Sequence, residues 1–308
     1  MSIRQLPENL QRRAEEELNE TPQRRKDCIQ HIKDWLSKQP HLNINPDDQL
    51  ILSFLRGCKY RTEKTKEKID YYYSTKTLYH EAFLNRDPSS DEIQNALNAG
   101  RYLVPLPKSD DPLAPRIFLY PNNPYTPSES LNPEVQFKVM QMVMDIILLE
   151  DDSFVINGFQ IIQFLSGFSI QHLAQLSPIL LRKIYLCTVK RYPARMKAIH
   201  FVNLPTAGIT MYNILKPFIS QKVQSRTTFH QTKDYSELHK LIPKSNLPKE
   251  LGGENYNVSD ILNEWNHKVM SYKSWFLEDE GIRSDESKRI INSDTYGVQG
   301  CFRKLEVD

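Results

Sequence analysis

Cysteine is scarce and scattered. Cys28, Cys58, Cys187 and Cys301 lie far apart in 308 residues, with no C-x-x-C pair. That argues against a zinc site and fits reduced thiols in the cytosol. Charge of one sign is also lacking. The 40 Lys and Arg nearly cancel the 38 Asp and Glu, and the resulting +2 gives no field for nucleic acid. An anionic partner has to be met by a local patch. No apolar run approaches the ~20 residues that span a bilayer, and the opening MSIRQLPENLQRRAEEE has no apolar h-region for secretion. Met1-Ser2 offers no glycine to myristoylate, and FRKLEVD is not a prenylation box. The expectation is a cytoplasmic protein whose contact with membranes is peripheral and transient. Catalytic motifs are missing too: no G-x-S-x-G, H-E-x-x-H, Walker loop or G-x-G-x-x-G occurs. His172, His200 and His230 follow no metal-ligand spacing and read as surface or core histidines. Gly252-Gly253 reads as a turn needing positive φ rather than a phosphate cradle. No enzyme, cofactor or metal is expected.

What is present describes a sizeable core. Hydrophobic residues make up 39% of the chain, aromatic ones 10% and charged ones 25%, a globular balance. Thr21-Pro22 reads as an N-cap with proline at the first helical position, and Ile29, Ile32, Trp35 and Leu36 mark one buried face. Asn45-Pro46 repeats the device ahead of Leu50, Ile51, Phe54 and Leu55. Thr62 caps a third helix, which carries Tyr71, Tyr72 and Tyr73 to about Phe83. Residues 1–90 are therefore expected to form a helical domain. After Arg101 the pattern changes to short β-type runs at Tyr102–Val104, Ile117–Tyr120, Phe159–Phe164, Ile199–Val202 and near Thr227. Helices alternate with these at Pro133 to Leu149, Gln171 to Lys190 and around Met211. Such alternation predicts an α/β domain over 91–278 with a largely parallel sheet. A last helix runs from Val258 to Phe276, and 279–308 reads as a polar tail, mobile in part.

Met211 to Arg226 is the most informative stretch. Met211, Ile214, Leu215, Phe218 and Ile219 repeat at helical spacing on one face, as in a cover or in a core helix. Pro217 weakens or kinks a helix that runs through it, and Lys222 and Arg226 follow with positive charge, the pairing suited to an anionic lipid surface. Phe159 and Ile161 on a strand, Leu180, Ile184 and Cys187 on the next helix, and Ile199 on the next strand fit one cavity or one core equally. Gln163 shares the face of Phe159 and Ile161. Its amide needs a partner in an apolar interior, which a backbone group, a water or a ligand oxygen would supply. Arg182, Lys183, Lys190, Arg191, Arg195 and Lys197 look like a solvated basic face. Asp145 falls in line with Glu134, Lys138 and Gln141, the wet stripe of an amphipathic helix.

In order along the chain stand FLRGCKY at Phe54 to Tyr60, LLEDDSFVINGFQII at Leu148 to Ile162, the P-x-R-x-K-x-I-H strand from Pro193 to His200, Asn203-Leu204-Pro205, LKPFISQKVQSR, LPKELGG from Leu247 to Gly253, and NEW at Asn263 to Trp265. This ordered set resembles the CRAL-TRIO lipid-binding family, in the tocopherol and retinaldehyde branch and in the divergent form common among insect members. The resemblance implies an N-terminal three-helix domain and a C-terminal α/β domain that holds one hydrophobic molecule under a mobile lid, about Thr206 through Val223. It carries ligand contact to Phe159, Ile161, Gln163, Ile184, Cys187, Thr188, Ala194, Met196, Ile199, Met211, Ile214, Leu215 and Ile219, with Phe218 added by the stripe. It carries phosphoinositide binding to Arg195, Lys197, Lys222 and Arg226. Phe164 and Ser166 stand where the family commonly has Asp and Glu, Cys58 where it has a basic residue, and Gln141 and Asp145 where it has serines, so those polar contacts are altered here. The implied function is cytosolic binding and intermembrane transfer of a tocopherol, retinoid, carotenoid or similar lipid. The partners are a lipophilic small molecule and an anionic, phosphoinositide-containing membrane, and a monomer is expected. The alternative is a phosphoinositide-regulated signalling or adaptor protein whose pocket is vestigial or filled with phospholipid.

Overall fold

The computed structural model describes residues 3–121, 132–165, 177–231 and 234–290, and for Ala207, Met211 and Leu215 the backbone alone. Helices come first: α1 (Glu8–Leu18), α2 (Pro22–Leu36), α3 (Asp48–Gly57), α4 (Thr62–Leu78), α5 (His80–Phe83) and α6 (Asp91–Ala99). Thr21 caps α2 by accepting a hydrogen bond from the Arg24 amide at 3.1 Å. The next helix starts later than Asn45-Pro46 suggests. Asp47, not Asn45, accepts the Leu50 amide at 2.8 Å, so Pro46 lies before the cap and not at the first helical position. Thr62 is the first helical residue of α4 rather than its cap, and the break at Tyr79 separates α4 from α5.

The second half is an α/β unit. Its strands are β1 (Val104–Pro105), β2 (Arg116–Tyr120), β3 (Phe159–Phe164), β4 (Met196–Val202) and β5 (Thr227–His230). They lie side by side in chain order, with β1 antiparallel to β2 and every later pair parallel. Between them come α7 (Pro133–Glu150), α8 (Asp152–Ile156), α9 (Pro178–Tyr185) with a π-helical turn at Leu186–Lys190, α10 (Thr206–Leu215) with a 3-10 turn at Lys216–Phe218, and α11 (Gln221–Gln224). Right-handed crossovers between strands in sequential order place all the connecting helices on one face of the sheet. Ring contacts agree. Phe154 of α8 packs on Phe118 and Phe159, and Tyr212 of α10 packs on Phe201 and Phe229. The segment with α12 (Ser236–His239) covers the other face, where Tyr235 meets Phe164. Gly252 ends that stretch at φ 77°, and α13 (Val258–Ser271) and α14 (Lys273–Asp279) follow, broken at Tyr272.

Helix α7 departs from its expected amphipathic character. Every residue from Val135 to Leu148 is buried, and Asp145 is 0% exposed. Its carboxylate accepts from Arg191 at 2.7 Å, Arg86 at 2.9 Å, the Tyr192 hydroxyl at 2.8 Å and the Tyr72 hydroxyl at 3.2 Å. What reads as a wet stripe is a buried charge hub, since helices from both halves of the chain cover the polar side of α7. Arg191 likewise is not part of a solvated face. It is fully buried, with Tyr72, Phe83 and Tyr192 rings 3.8, 4.5 and 4.7 Å from its guanidinium carbon. Asp279, Ser284 and Arg289, read as tail, are bound to Lys76, Thr77 and Asp70 of α4.

Candidate functional site

The register of the sheet fixes which side chains share the helix-covered face. Phe118 pairs with Ile161 and Ile161 with Ile199; Tyr120 pairs with Gln163, Gln163 with Phe201 and Phe201 with Phe229. Paired residues point the same way. One end of this face is closed. Phe118, Phe154 and Phe159 meet at ring separations of 5.3 to 5.7 Å, and Tyr192 packs on Phe154. Toward the other end the packing stops. Strand β4 lies inside the sheet, yet Ile199 and Phe201 are only half-buried, as are Gln163 and Tyr120 beside them. In a solid α/β interior such side chains, on an inner strand under helices, are fully covered. This incomplete cover marks the candidate hollow between β4 and the helices α9 and α10. Across it Ile184, Tyr185 and Val189 are half-buried in turn.

The candidate residues divide around this hollow. Ile161, Cys187, Thr188 and Met196 are buried at its edges, and Gln163, Ile184, Ala194, Ile199 and Ile219 are half-buried. Phe159 belongs to the aromatic plug that closes one end. Burial pushes the Cys187 thiol up to about 12, so it is an inert apolar wall. The Gln163 amide makes no hydrogen bond to a described residue. Ile214 and Phe218 depart from the expected set of lining residues, at 57% and 54% exposed. Pro217 ends α10 at Leu215, and the 3-10 turn that follows advances 120° per residue instead of 100°, which takes Phe218 off the face of the stripe, whereas Ile214, inside α10, lies on its solvent side. Among the described side chains of α10, Tyr212 meets the sheet, edge-on to Phe201 and Phe229, which stack on each other at 5.3 Å. Alternation along β4 and β5 would have found Phe201 and Phe229; Tyr212 lies outside the apolar stripe and gave no signal. The side chains of Met211 and Leu215, and His172 and Ser166 entirely, lie outside the described residues.

Three of the four basic candidates come together at the N-terminal ends of β4 and β5. Partial burial first, then repulsion among Arg195, Lys197, Arg226 and Arg13, holds Arg195 and Lys197 below their ordinary values, with Glu17 opposing. Arg13 was not foreseen. It arrives from α1, where it bonds the Leu113 carbonyl and the Asn157 side chain at 2.7 and 2.9 Å. Glu17 stands among them, paired with Arg13 at 3.2 Å, and the cluster stays net positive. Lys222 is exposed on α11, next to β5. Among the described residues no helix is long and apolar enough to cross a membrane.

Comparison with known proteins bears on this arrangement directly. A Pinta-like UBA domain matches residues 21–93, and the CRAL/TRIO domain matches residues 101–253. The chain is 27% identical to a mouse alpha-tocopherol transfer protein-like protein, over 89% of this chain and 78% of that one. It is 31% identical to Clavesin-1 of Xenopus laevis, over 77% of this chain and 70% of that one. The crystal structure of Sfh5 superposes with a TM-score of 0.52 at 13% identity, over 91% of this chain and 99% of that one, a likeness of fold. With a helical half, a mostly parallel five-stranded sheet and a helix drawn across its open face, the chain belongs to the CRAL/TRIO family.

Proposed function

We propose that the protein binds a lipophilic small molecule in the hollow between β4 and α9–α10 and transfers it between membranes, opening its lid at an anionic surface. The observation that carries this is the partial exposure of Ile199 and of Gln163 beside it on inner strands under helices, a floor that is not fully covered. Membership in a lipid-binding family and the names of its relatives, tocopherol transfer protein-like among them, support the same role. Gln163, without a described partner beside that floor, suits a guest carrying one hydroxyl or carbonyl oxygen among apolar surface. No catalytic step is needed.

The energetics suit transfer. Each large apolar side chain on the lid is worth ~1.5–3 kcal/mol when buried, and Ile214 and Phe218 stand in solvent, able to enter a membrane interface instead. Four basic residues, Arg195, Lys197, Lys222 and Arg226, add ~1 kcal/mol each near an anionic leaflet. The gains are comparable, so a lid that closes over a guest in water opens on phosphoinositide-containing bilayers. The test is solvent extraction of the purified protein followed by mass spectrometry. One stoichiometric guest of tocopherol, retinoid or carotenoid size is expected. Preparations that yield none, and that take up none when incubated with such lipids, would refute the carrier reading.

A further inference from the structure

Two buried histidines stand at the root of the lid, on the face of the sheet away from the hollow. His200 is 3% exposed and His230 1%. Their rings are 5.2 Å apart, tilted by 37°, and His200 Nδ1 lies 3.0 Å from His230 Nε2. One nitrogen donates and the other accepts, so the bond survives only while at least one ring is neutral. The outer nitrogens, Nε2 of His200 and Nδ1 of His230, are buried without partners. A first added proton therefore puts charge where nothing receives the new N–H. A second sets two N–H groups against each other across the gap.

Both ends of the lid are tied at this point. The Asn203 amide donates to the His230 carbonyl at 3.0 Å, and Asn203, at φ 56°, is the left-handed turn between β4 and α10. At the other end α11 runs straight into β5, which among the described strands is an edge paired with β4. The groups around the pair do little to oppose its neutrality. Burial, then His230, lowers His200 to about 4. Burial lowers His230 as well, with Glu237 of α12 pulling the other way. Beside Glu237, Tyr235 packs on Phe164, and His239 Nε2 is engaged by the Leu251 carbonyl at 2.8 Å. From β3 and β5 the register partners of His200 are Ile162 and Thr228, both uncharged. Among the described residues no carboxylate bonds either ring.

We propose that the His200–His230 pair is an acid-sensitive clasp: neutral, it holds β5 on β4 and fixes both ends of segment 203–226; protonated, it lets that segment come away and the guest leave. Its last step rests on the hollow being the lipid site; the opening does not. The sign follows from linkage. A base whose folded value lies below its free one favours the closed form fully above 6.5 and ever less as pH falls toward about 4, which for His200 is up to about 300-fold in the closed-to-open ratio.

Hydrogen–deuterium exchange on the full chain at about pH 7 and about pH 5, corrected for intrinsic rates, reads the opening. Protection over 203–230 should fall at least tenfold between the two in the wild type while α7 holds. In the double variant His200→Gln with His230→Gln, whose amides hydrogen-bond without titrating, the fall should be less than twofold. No segment-specific loss in the wild type, or the same loss in the variant, overturns the clasp. Should the double variant not fold, the wild-type imidazole nitrogens followed by NMR decide. Coupled titration well below 6.5 supports the pair, and two independent titrations near that value overturn it. A dodecanoate probe bearing a fluorophore should leave the wild type, but not the variant, at the lower pH. A wild type that binds no probe while exchange behaves as expected sinks the lipid reading and leaves the clasp standing.

Discussion

Replacing Asp145 by Asn tests the claim that this chain is organised around one buried charge. The substitution keeps the shape and removes the charge. Arg191 would then be left with no carboxylate, held by rings and the Tyr192 hydroxyl, and its Nε and Nη2 are already buried without partners. Arg86 would keep only Asp279. Removing one partner of a buried pair costs about 3–5 kcal/mol, a large share of a stability of about 5–15 kcal/mol. Burial pushes the Asp145 carboxyl up, but Arg191, Arg86 and Lys76 pull it further down, to a net value below the ordinary 3.8. A depressed carboxyl contributes stability that is present above 3.8 and lost as pH falls through the folded value. The deficit of the variant should therefore be constant from pH 5 to 8 and shrink below about 4. Urea unfolding monitored by circular dichroism reads it as a lower midpoint with an unchanged slope. Replacing both partners, Asp145→Leu with Arg191→Met, should recover most of the loss. A deficit under about 1 kcal/mol for Asp145→Asn would mean that the hub is bystander packing.

Gly57→Ala should destabilise the fold by at least 1–3 kcal/mol, read as a lower melting temperature, because a Cβ there would sit 1.7 Å from the Pro193 carbonyl oxygen at the entry to β4. Lys222→Ala with Arg226→Ala should leave guest retention in buffer unchanged and slow delivery to phosphoinositide vesicles severalfold; transfer at the wild-type rate sinks the basic-patch reading. Phe218→Asp should reduce vesicle sedimentation of the protein about tenfold or more without lowering its melting temperature, since that side chain is exposed in the free form.

The elements that could be read from the sequence are those whose signals are local. The Thr21 cap, the β3 segment Phe159–Phe164 and the shared face of Phe159, Ile161 and Gln163 all follow from caps and period-two alternation, and all are present as read. Asp145 was misread because amphipathic spacing says which residues share a face and nothing about what covers it. Partners from α4, from the segment after α5 and from the π-helical turn arrive from far away in the chain. The same holds for Arg13, over 180 residues from Arg195 in the numbering, and for the histidines, 30 residues apart and joined only by strand pairing. Phe164 gains a reason from Tyr235, the ring it packs on, where the family commonly has Asp.

How the proposed lid would open follows from where it is fastened. Its leading end is held by the Asn203–His230 backbone bond and by Tyr212 in two ring contacts, each worth about 0.5–1.5 kcal/mol. Past Leu215 the helix has stopped. Ile214 and Phe218 give up ~1.5–3 kcal/mol each by facing water, and the Ser220 amide meets the Tyr185 hydroxyl at a long 3.5 Å. The loose part is thus the proline-bearing end, and Lys216 and Lys222 are exposed on that same end. Swinging it outward about Asn203 would lift Tyr212 from Phe201 and Phe229 and bring apolar and basic side chains to one surface in a single motion.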